Sequence, residues 1–380
     1  MLALKLARQI FAATLLTAAL LGAGEVGLRL LGRWRDGRWP QSQAGGFYDR
    51  IRMLRRIYRT HPFLNTAPRK GGRVAAFGRQ VVLNRLGYRS PERPAAKPPG
   101  VRRVLVAGGS TTFDLLAADN EHSWPSRLEA RLRAGGTPVE VWNAGFPGWT
   151  TLESLISLAF RDLDLGPDMV VLFHGINDLQ PAAHQPFDPQ YEHGHAEVSR
   201  RALGLELKPP AWWEESLLSD RLRDLARGPV DPWQTLAAPT PTSAGTGGRR
   251  LAIAPEAVGV FARNARSFAA LAAARGARVI LVTQTMRLRA ANRARDVAYL
   301  EGWYPGLAAE AAPAELEKLN GALRELAAAG TGELADAARD VAWTDDDFGD
   351  PLHVGDAGRG KLVAYLALRL TTALAAARPR

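Results

Sequence analysis

Residues 103–112 read RVLVAGGSTT, an apolar run that ends abruptly in two glycines, a serine and two threonines. The run has the composition of a buried strand, and the glycines permit a sharp turn into whatever follows. A phosphate-binding loop would place a lysine after the glycines, and a dinucleotide fold would show G-x-G-x-x-G; neither pattern is present. Ser110 then either caps a helix, which serine does readily, or presents a nucleophile from the end of the strand. The turn alone leaves both readings open.

Four further short runs share this character: PVEVWNAG, PDMVVLFHG, ARVILVTQ and GELADA, most of them ending in glycine or polar residues. Helical patterns lie between them. Leu128 and Leu132 fit a helix closed by Gly135 and Gly136. Val258, Phe261, Ala265 and Phe268 recur at helical spacing between Pro255 and Gly276, and Leu316, Leu319, Leu323 and Leu326 do so before Gly330. Strands alternating with helices predict a parallel sheet covered on both faces. In such sheets sites form beyond the carboxyl ends of the strands, and the motifs that follow lie at such ends.

DPLHVGDAG, near the C-terminus, puts Asp350 three residues before His353. A serine hydroxyl attacks poorly unless a base takes its proton, and imidazole suits that role near neutral pH. The imidazole in turn needs an acceptor on its other nitrogen, which an aspartate on the same turn supplies. Acyl transfer also needs donors for the developing oxyanion. Two strand ends offer them: NAGFPG brings Gly145, with its unshielded backbone N–H, and GIND brings Gly175 and then Asn177, with a side-chain amide. Each block taken singly is also an ordinary turn.

In order, GGSTT (Ser110), NAGFPG (Gly145), GIND (Asn177) and DPLH (Asp350, His353) resemble the four blocks of the SGNH (GDSL-like) hydrolase family, over about residues 101–376. The resemblance implies a three-layer α/β/α, flavodoxin-like fold with a five-stranded parallel sheet. It implies ester hydrolysis through an acyl-enzyme with neither metal nor cofactor. It also implies roles: Ser110 as nucleophile, His353 as base, Asp350 as orienting acid, and the Ser110 N–H, the Gly145 N–H and Asn177 as oxyanion donors. More loosely, a hydrophobic N-terminus followed by LNRLGYRSPE is similar to membrane-associated, envelope-facing bacterial members. Two positions depart from the pattern. Gly109 stands where the name-giving motif has Asp. Asp114 stands where the first block often has Gly, a carboxylate that either repels anionic substrates or points away.

The 380-residue chain is 46% hydrophobic, which reads as a folded globular protein. It has no cysteine, so disulfides and a thiol nucleophile are excluded. Its formal net charge is +11, and only six of its 49 basic residues are lysine. The bias is compositional or suits an anionic lipid or polysaccharide surface; scattered arginines without a motif argue against nucleic acid.

Lys5 and Arg8 precede the uncharged run IFAATLLTAALLGAG at residues 10–24, which Glu25 ends. The run is short for a membrane span and close to a signal-peptide core, with Gly22 and Gly24 as candidate cleavage-site residues. A helix continuing through Leu31 instead gives an anchor, with Glu25 and Arg29 at the interface. Arginines on both sides leave the orientation open. The expected organisation is therefore 1–32 as signal-anchor or signal peptide, 33–100 as a basic connecting segment with a few short strands (RQVVLNRLGYRS the best candidate), and 101–380 as the hydrolase domain.

Residues 179–254 form an insertion that begins directly after GIND and carries Tyr191, Trp212, Trp213 and Trp233. It is expected to cap the site. His184, His193 and His195, with Asp188 and Glu192, match no standard zinc spacing and read as a solvated loop. Asp178 is expected to be structural, and Trp142 and Trp149 to pack in the core. The function expected is an exported serine esterase, membrane-anchored or secreted, that removes acetyl or other short acyl groups from envelope or extracellular glycans or lipids. The alternatives are an O-acyltransferase acting on polysaccharide and a catalytically idle envelope scaffold or carbohydrate-binding protein.

Overall fold

A computed structural model describes residues 2–37, 39–40, 55–64, 66–76, 79–184, 186–191, 216–227, 250–304 and 306–375. The strands are β1 (Tyr58–Arg59), β2 (Ala67–Pro68), β3 (Arg73–Ala76), β4 (Arg79–Val82), β5 (Arg102–Gly108), β6 (Val139–Asn143), β7 (Met169–Phe173), β8 (Arg278–Val282) and β9 (Glu333–Ala335). The α-helices are α1 (Leu2–Asp36), α2 (Ser110–Phe113), α3 (Trp124–Ala134), α4 (Thr151–Phe160), α5 (Leu179–Ala183), α6 (Leu217–Arg227), α7 (Pro255–Ala274), α8 (Arg293–Trp303), α9 (Ala312–Ala328), α10 (Ala337–Asp340) and α11 (Asp356–Ala375). They fall into two compact units, Met1–Met53 with Gly204–Leu236, and Leu54–Leu203 with Ala237–Arg380.

In the larger unit, β5 to β9 make one parallel sheet in the order β6-β5-β7-β8-β9. Strand side chains alternate between faces, and both faces are apolar. Leu105, Ala107, Val170, Leu172, Val279 and Leu281 face a core completed by Phe261 and Phe268 of α7 and Leu316 and Leu323 of α9. Val104, Val106, Met169, Val171, Ile280 and Val282 face a second core, completed by Trp124, Leu128 and Leu132 of α3 and Leu362, Leu366 and Leu370 of α11. Burial on both sides is why β7 (MVVLF) is an unbroken apolar run. The architecture is the three-layer α/β/α, flavodoxin-like one that the resemblance implies.

From residue 55 onward, the segment expected to connect with a few short strands holds four of them, and β4 opens RQVVLNRLGYRS. β1 pairs with β2, and β3 with β4. Ile57, Leu64, Ala67, Val81 and Leu83 share a third core with Phe113, Phe146 and Trp149, so this segment packs on the turns that follow β5 and β6. Arg89, from LGYRS, is fully buried. Its guanidinium donates to the carbonyls of Phe113, Asp114 and Asp119 at 2.7–2.8 Å and to Asn120 Oδ1 at 3.1 Å. Burial pushes its pKa down to about 10, with Asp114 and Asp119 opposing the fall, so it remains a cation at neutral pH.

Only parts of the insertion expected to cap the site are among the described residues. α5 is buried, and so is Tyr191, whose ring packs edge-on against Phe187. α6 packs with α1 in the smaller unit. Trp212, Trp213 and Trp233 lie outside the described residues. In α1, the most apolar window has mean hydropathy 1.6 and none of it is buried, which by length and composition suffices to cross a membrane.

Arg89→Ala removes a charged donor from three carbonyls and from Asn120 Oδ1, and leaves the Asp119 carbonyl with no other donor among the described residues; a hydrogen bond to a charged group is worth about 1.5–3 kcal/mol. The variant is expected to unfold in urea at least about 3 kcal/mol below the wild type, with Arg89→Lys intermediate because one ammonium cannot reproduce the fork.

Candidate active site

β5 ends in Gly108 and Gly109, and neither position has room for a side chain. A Cβ on Gly108 would collide with Thr112 Oγ1 and the Phe173 carbonyl; one on Gly109 would collide with Asn177 Nδ2 and crowd the Trp149 carbonyl. The aspartate of the family's name-giving motif therefore cannot stand at 109 in this arrangement. The chain turns at once into α2, whose N-cap is Gly109 and which has no side-chain cap. Ser110 thus sits at the first helical position, where the backbone N–H has no intrahelical acceptor, and its hydroxyl is not spent on capping.

That hydroxyl donates to His353 Nε2 at 2.7 Å. His353 Nδ1–H donates to Asp350, 2.9 Å from both carboxylate oxygens. Asp350 Oδ1 also accepts from the N–H groups of Leu352 and His353 at 2.9 and 2.8 Å, which folds DPLH into a tight turn. Burial opposes charge on His353, but the charge and hydrogen bond of Asp350, with Asp114 adding to them, hold its pKa above the usual imidazole value. Burial also opposes charge on Asp350, and His353 with the two backbone N–H groups outweighs it and holds that carboxyl below its usual range. A hydroxyl, an imidazole and a carboxylate in this sequence can pass a proton from the serine to the imidazole and stabilise the imidazolium that results.

Asp114 points away from the serine hydroxyl. It takes a left-handed conformation at the end of α2 (φ 63°), accepts from Trp124 N at 2.8 Å at the start of α3, and pairs with Arg359 Nε at 2.8–3.0 Å. Arg359 belongs to α11, which follows the His353 turn, so this buried pair fastens the serine turn to the histidine side of the site.

Asn177 Nδ2 donates to the Trp149 carbonyl at 2.8 Å, which fixes the amide plane and leaves its second hydrogen for another acceptor. Gly145 does not have the free N–H expected of it. That N–H donates to Asn143 Oδ1 at 3.0 Å, the residue is buried, and a Cβ there would strike Thr112 and Phe113 N. Its bareness serves packing against the serine turn. The glycine left open in the block is Gly148. Trp149 N donates to the Phe146 carbonyl at 3.1 Å, with Pro147 next and Gly148 at φ 85°, a type II turn. Gly148 is partly exposed, and its N–H has no acceptor among the described residues. The P-G pair in NAGFPG was the available signal.

Gln284, at the end of ARVILVTQ, is a further residue the motifs did not single out. Its Nε2 donates to Thr111 Oγ1 at 2.9 Å and the Phe173 carbonyl at 3.2 Å, while its Oε1 accepts from Ile176 N at 2.8 Å. One side chain from β8 thereby ties the Ser110 turn to the Asn177 turn. Asp178 has the structural part expected of it, accepting from Thr151 Oγ1 at 2.6 Å and Thr151 N at 3.1 Å at the start of α4. Trp142 and Trp149 are fully buried. Glu192, His193 and His195 lie outside the described residues.

The sequence profile of the GDSL-like Lipase/Acylhydrolase family matches residues 106–360, a stretch that includes all five motif residues. The chain belongs to that family. It is an SGNH-type hydrolase. No curated protein sequence matches it. Among solved structures, a lipase/acylhydrolase from Enterococcus faecalis aligns with 73% of this chain and 98% of its own, at 18% identity and a TM-score of 0.42. A GDSL-like lipase from Bacteroides thetaiotaomicron covers 72% and 89% at 15% identity (TM-score 0.38). An acetyl xylan esterase, AlAXEase, covers 70% and 99% at 13% identity (TM-score 0.40).

Because its pKa is raised, His353 stays protonated to higher pH than a free imidazole, and only the neutral form can accept the serine proton. The ascending limb of kcat/KM for an ester is therefore expected above pH ~6.5. Asp350→Asn removes the larger of the influences that raise the pKa and leaves burial opposed by Asp114 alone, so the limb should move to lower pH while kcat falls, by as much as about 10⁴-fold. A pH–rate profile of the two proteins checks both directions.

Proposed function

We propose that the protein hydrolyses esters of short acyl groups through an acyl-enzyme on Ser110, acting on envelope or extracellular glycans or lipids, and that α1 holds it at a membrane with the hydrolase unit outside the cytoplasm. The observation that carries the chemistry is His353, hydrogen-bonded to Ser110 Oγ on one nitrogen and to Asp350 on the other. Ser110 Oγ attacks the ester carbonyl as its proton passes to His353 Nε2. The oxyanion forms against the Ser110 N–H, Asn177 Nδ2 and, in place of Gly145, the Gly148 N–H. Collapse expels the alcohol, which takes the proton from His353. Water, deprotonated by the same imidazole, then releases the acid and restores Ser110.

A hollow beside Ser110 supports the short-acyl reading. Thr111, Phe173, Ile176, Trp343, Phe348, Leu352 and Val354 are among its lining residues, and its cavity volume is about 20 Å³. Leu352 and Val354 flank His353, and Ile176 precedes Asn177, so the lining adjoins each candidate group. Little free volume beside the candidate groups suits a short acyl group better than a long chain. The support for the membrane reading is the uncharged run of α1 between Arg8 and Glu25.

A fluorophosphonate probe is expected to label Ser110 in the wild type and to leave Ser110→Ala unlabelled; labelling elsewhere in an active protein would sink the assignment. Asn177→Ala should lose about 10²- to 10³-fold in kcat with the fold intact. In a crystal of the phosphonylated protein, the phosphoryl oxygen should lie within hydrogen-bond reach of Gly148 N; contact with Gly145 N instead would restore the original assignment. On a panel of p-nitrophenyl esters, acetate and butyrate should outrun decanoate, and Trp343→Ala should narrow that gap.

A further inference from the structure

Glu25 interrupts an otherwise apolar stretch of α1, and the structure gives it a partner. Its carboxylate accepts from Ser216 Oγ at 2.9 Å, Leu217 N at 3.2 Å and Leu218 N at 3.0 Å, as well as from Arg29 Nε at 2.7 Å. Three of these donors stand at the start of α6. A helix start exposes N–H groups that have no intrahelical acceptor and favours negative charge, so Glu25 caps α6 from a different helix. Next to it, Gly24 leaves room for Leu218, whose methyl carbon lies 3.6 Å from where a Cβ would stand.

α6 does not bury its apolar residues. Leu218, Leu222 and Leu225 recur at i, i+4 and i+7 on one face. Leu218 meets α1, but Leu222 is 57% and Leu225 84% exposed. The helix sequence, LLSDRLRDLAR, carries three arginines against two aspartates, and Arg221 is exposed. The neighbouring surface of α1 is equally uncovered: Leu20, Leu21, Val26, Leu30 and Leu31 are all more than half exposed. A short helix with a leucine stripe and arginines has the make-up of one that lies in the plane of a membrane surface. Here it packs on a helix long enough to span whose own apolar residues are exposed.

We infer that α6 lies in the membrane–water interface beside α1, with Leu222 and Leu225 among the acyl chains, Arg221 toward anionic headgroups, and Glu25 holding it in place. The inference rests on the proposed reading of α1 as a membrane anchor and deepens it, because α1 must be retained to serve as a structural partner of α6. The depth agrees. Residues 10–24 carry no charge and rise about 22 Å, so Glu25 falls where the uncharged run ends and a carboxylate can meet the interface. The occupant of the exposed stripe is a lipid surface rather than a second protein, since α6 is fastened to a helix long enough to span a membrane whose own apolar side chains are exposed.

The absence of cysteine lets a single one report. Full-length Leu225→Cys, labelled with a nitrobenzoxadiazole dye, is reconstituted in nanodiscs of phosphatidylcholine with phosphatidylglycerol. Lipids brominated ~5–10 Å below the headgroups should quench the dye at least about twofold, and aqueous iodide should quench it much less than the free dye. Adding Glu25→Ala should remove most of the lipid quenching; full retention would overturn the pinning role. A nanodisc-bound protein whose dye is quenched by iodide, or is shielded from iodide without being quenched by bromolipid, would overturn the placement of α6 and leave the anchor standing. An intact mass of membrane-extracted protein that lacks residues 1–24 would overturn both.

Discussion

The candidate site depends on one close approach, where the end of β5 passes between three other segments. Gly108 touches the Phe173 carbonyl and Thr112, and Gly109 touches Asn177 and the Trp149 carbonyl. No side chain fits at either position. The main chain therefore comes near enough to the turns after β6 and β7 that Ser110, one residue later, opens a helix directly beside the amide of Asn177. A family motif normally written with an aspartate at this point is written with glycine here, and space rather than chemistry explains the change. Gly145 answers the same demand from the other side, where it lets its turn press against Thr112 and Phe113.

Charge then fixes what close packing has assembled. Buried ion pairs contribute little net stability when compared with apolar replacements, but they specify geometry, and here they sit where geometry matters. Arg89 gathers carbonyls at the end of α2. Asp114 accepts from Trp124 at the start of α3 and from Arg359 on α11, so one carboxylate joins the serine turn, the helix beside it and the element that follows His353. Gln284 makes the corresponding link on the other flank with neutral groups. The charge of Asp114 also favours the protonated form of His353. The second departure from the family pattern is thus absorbed into the scaffold, and it touches the chemistry through the pKa of the base.

The sheet and the motif blocks were legible because they rest on local signals. A strand buried on both faces is an unbroken apolar run, and serine, asparagine, aspartate and histidine at strand ends are few enough for their order to carry information. The remainder depended on contacts between distant segments. β1 to β4 are two to four residues long, too short for any periodicity to show, and their burial is decided by Phe146 and Trp149 far along the chain. Arg89 looks like any other arginine in a chain rich in them. The choice between Gly145 and Gly148 turned on whether an N–H was already engaged by Asn143, which composition cannot reveal, although P-G had marked the turn. Glu25 looked like the end of an apolar run, and only the structure shows it capping a helix nearly two hundred residues away.

The chain contains a second serine–histidine–aspartate group, and comparing the two shows why residue identity is not enough. Ser154 Oγ lies 2.7 Å from His174 Nε2, and His174 Nδ1 lies 3.6 Å from Asp178 Oδ2. All three are fully buried between α4 and the turn after β7. Asp178 gives Oδ1 to Thr151, so it organises the start of α4 as well as facing the imidazole. Ser154 is the fourth residue of α4, and its own N–H is already engaged by the Thr150 carbonyl, unlike that of Ser110 at a first helical position. Around Ser110 the order of groups is the same but the surroundings differ: a helix N-terminus, an asparagine amide with a hydrogen to spare, an open glycine, and a hollow bounded by the residues on either side of His353. Access and oxyanion donors, more than the three side chains, distinguish a site where an ester can react from a hydrogen-bonded knot in the core. The buried group in turn steadies the segment on which Asn177 is carried.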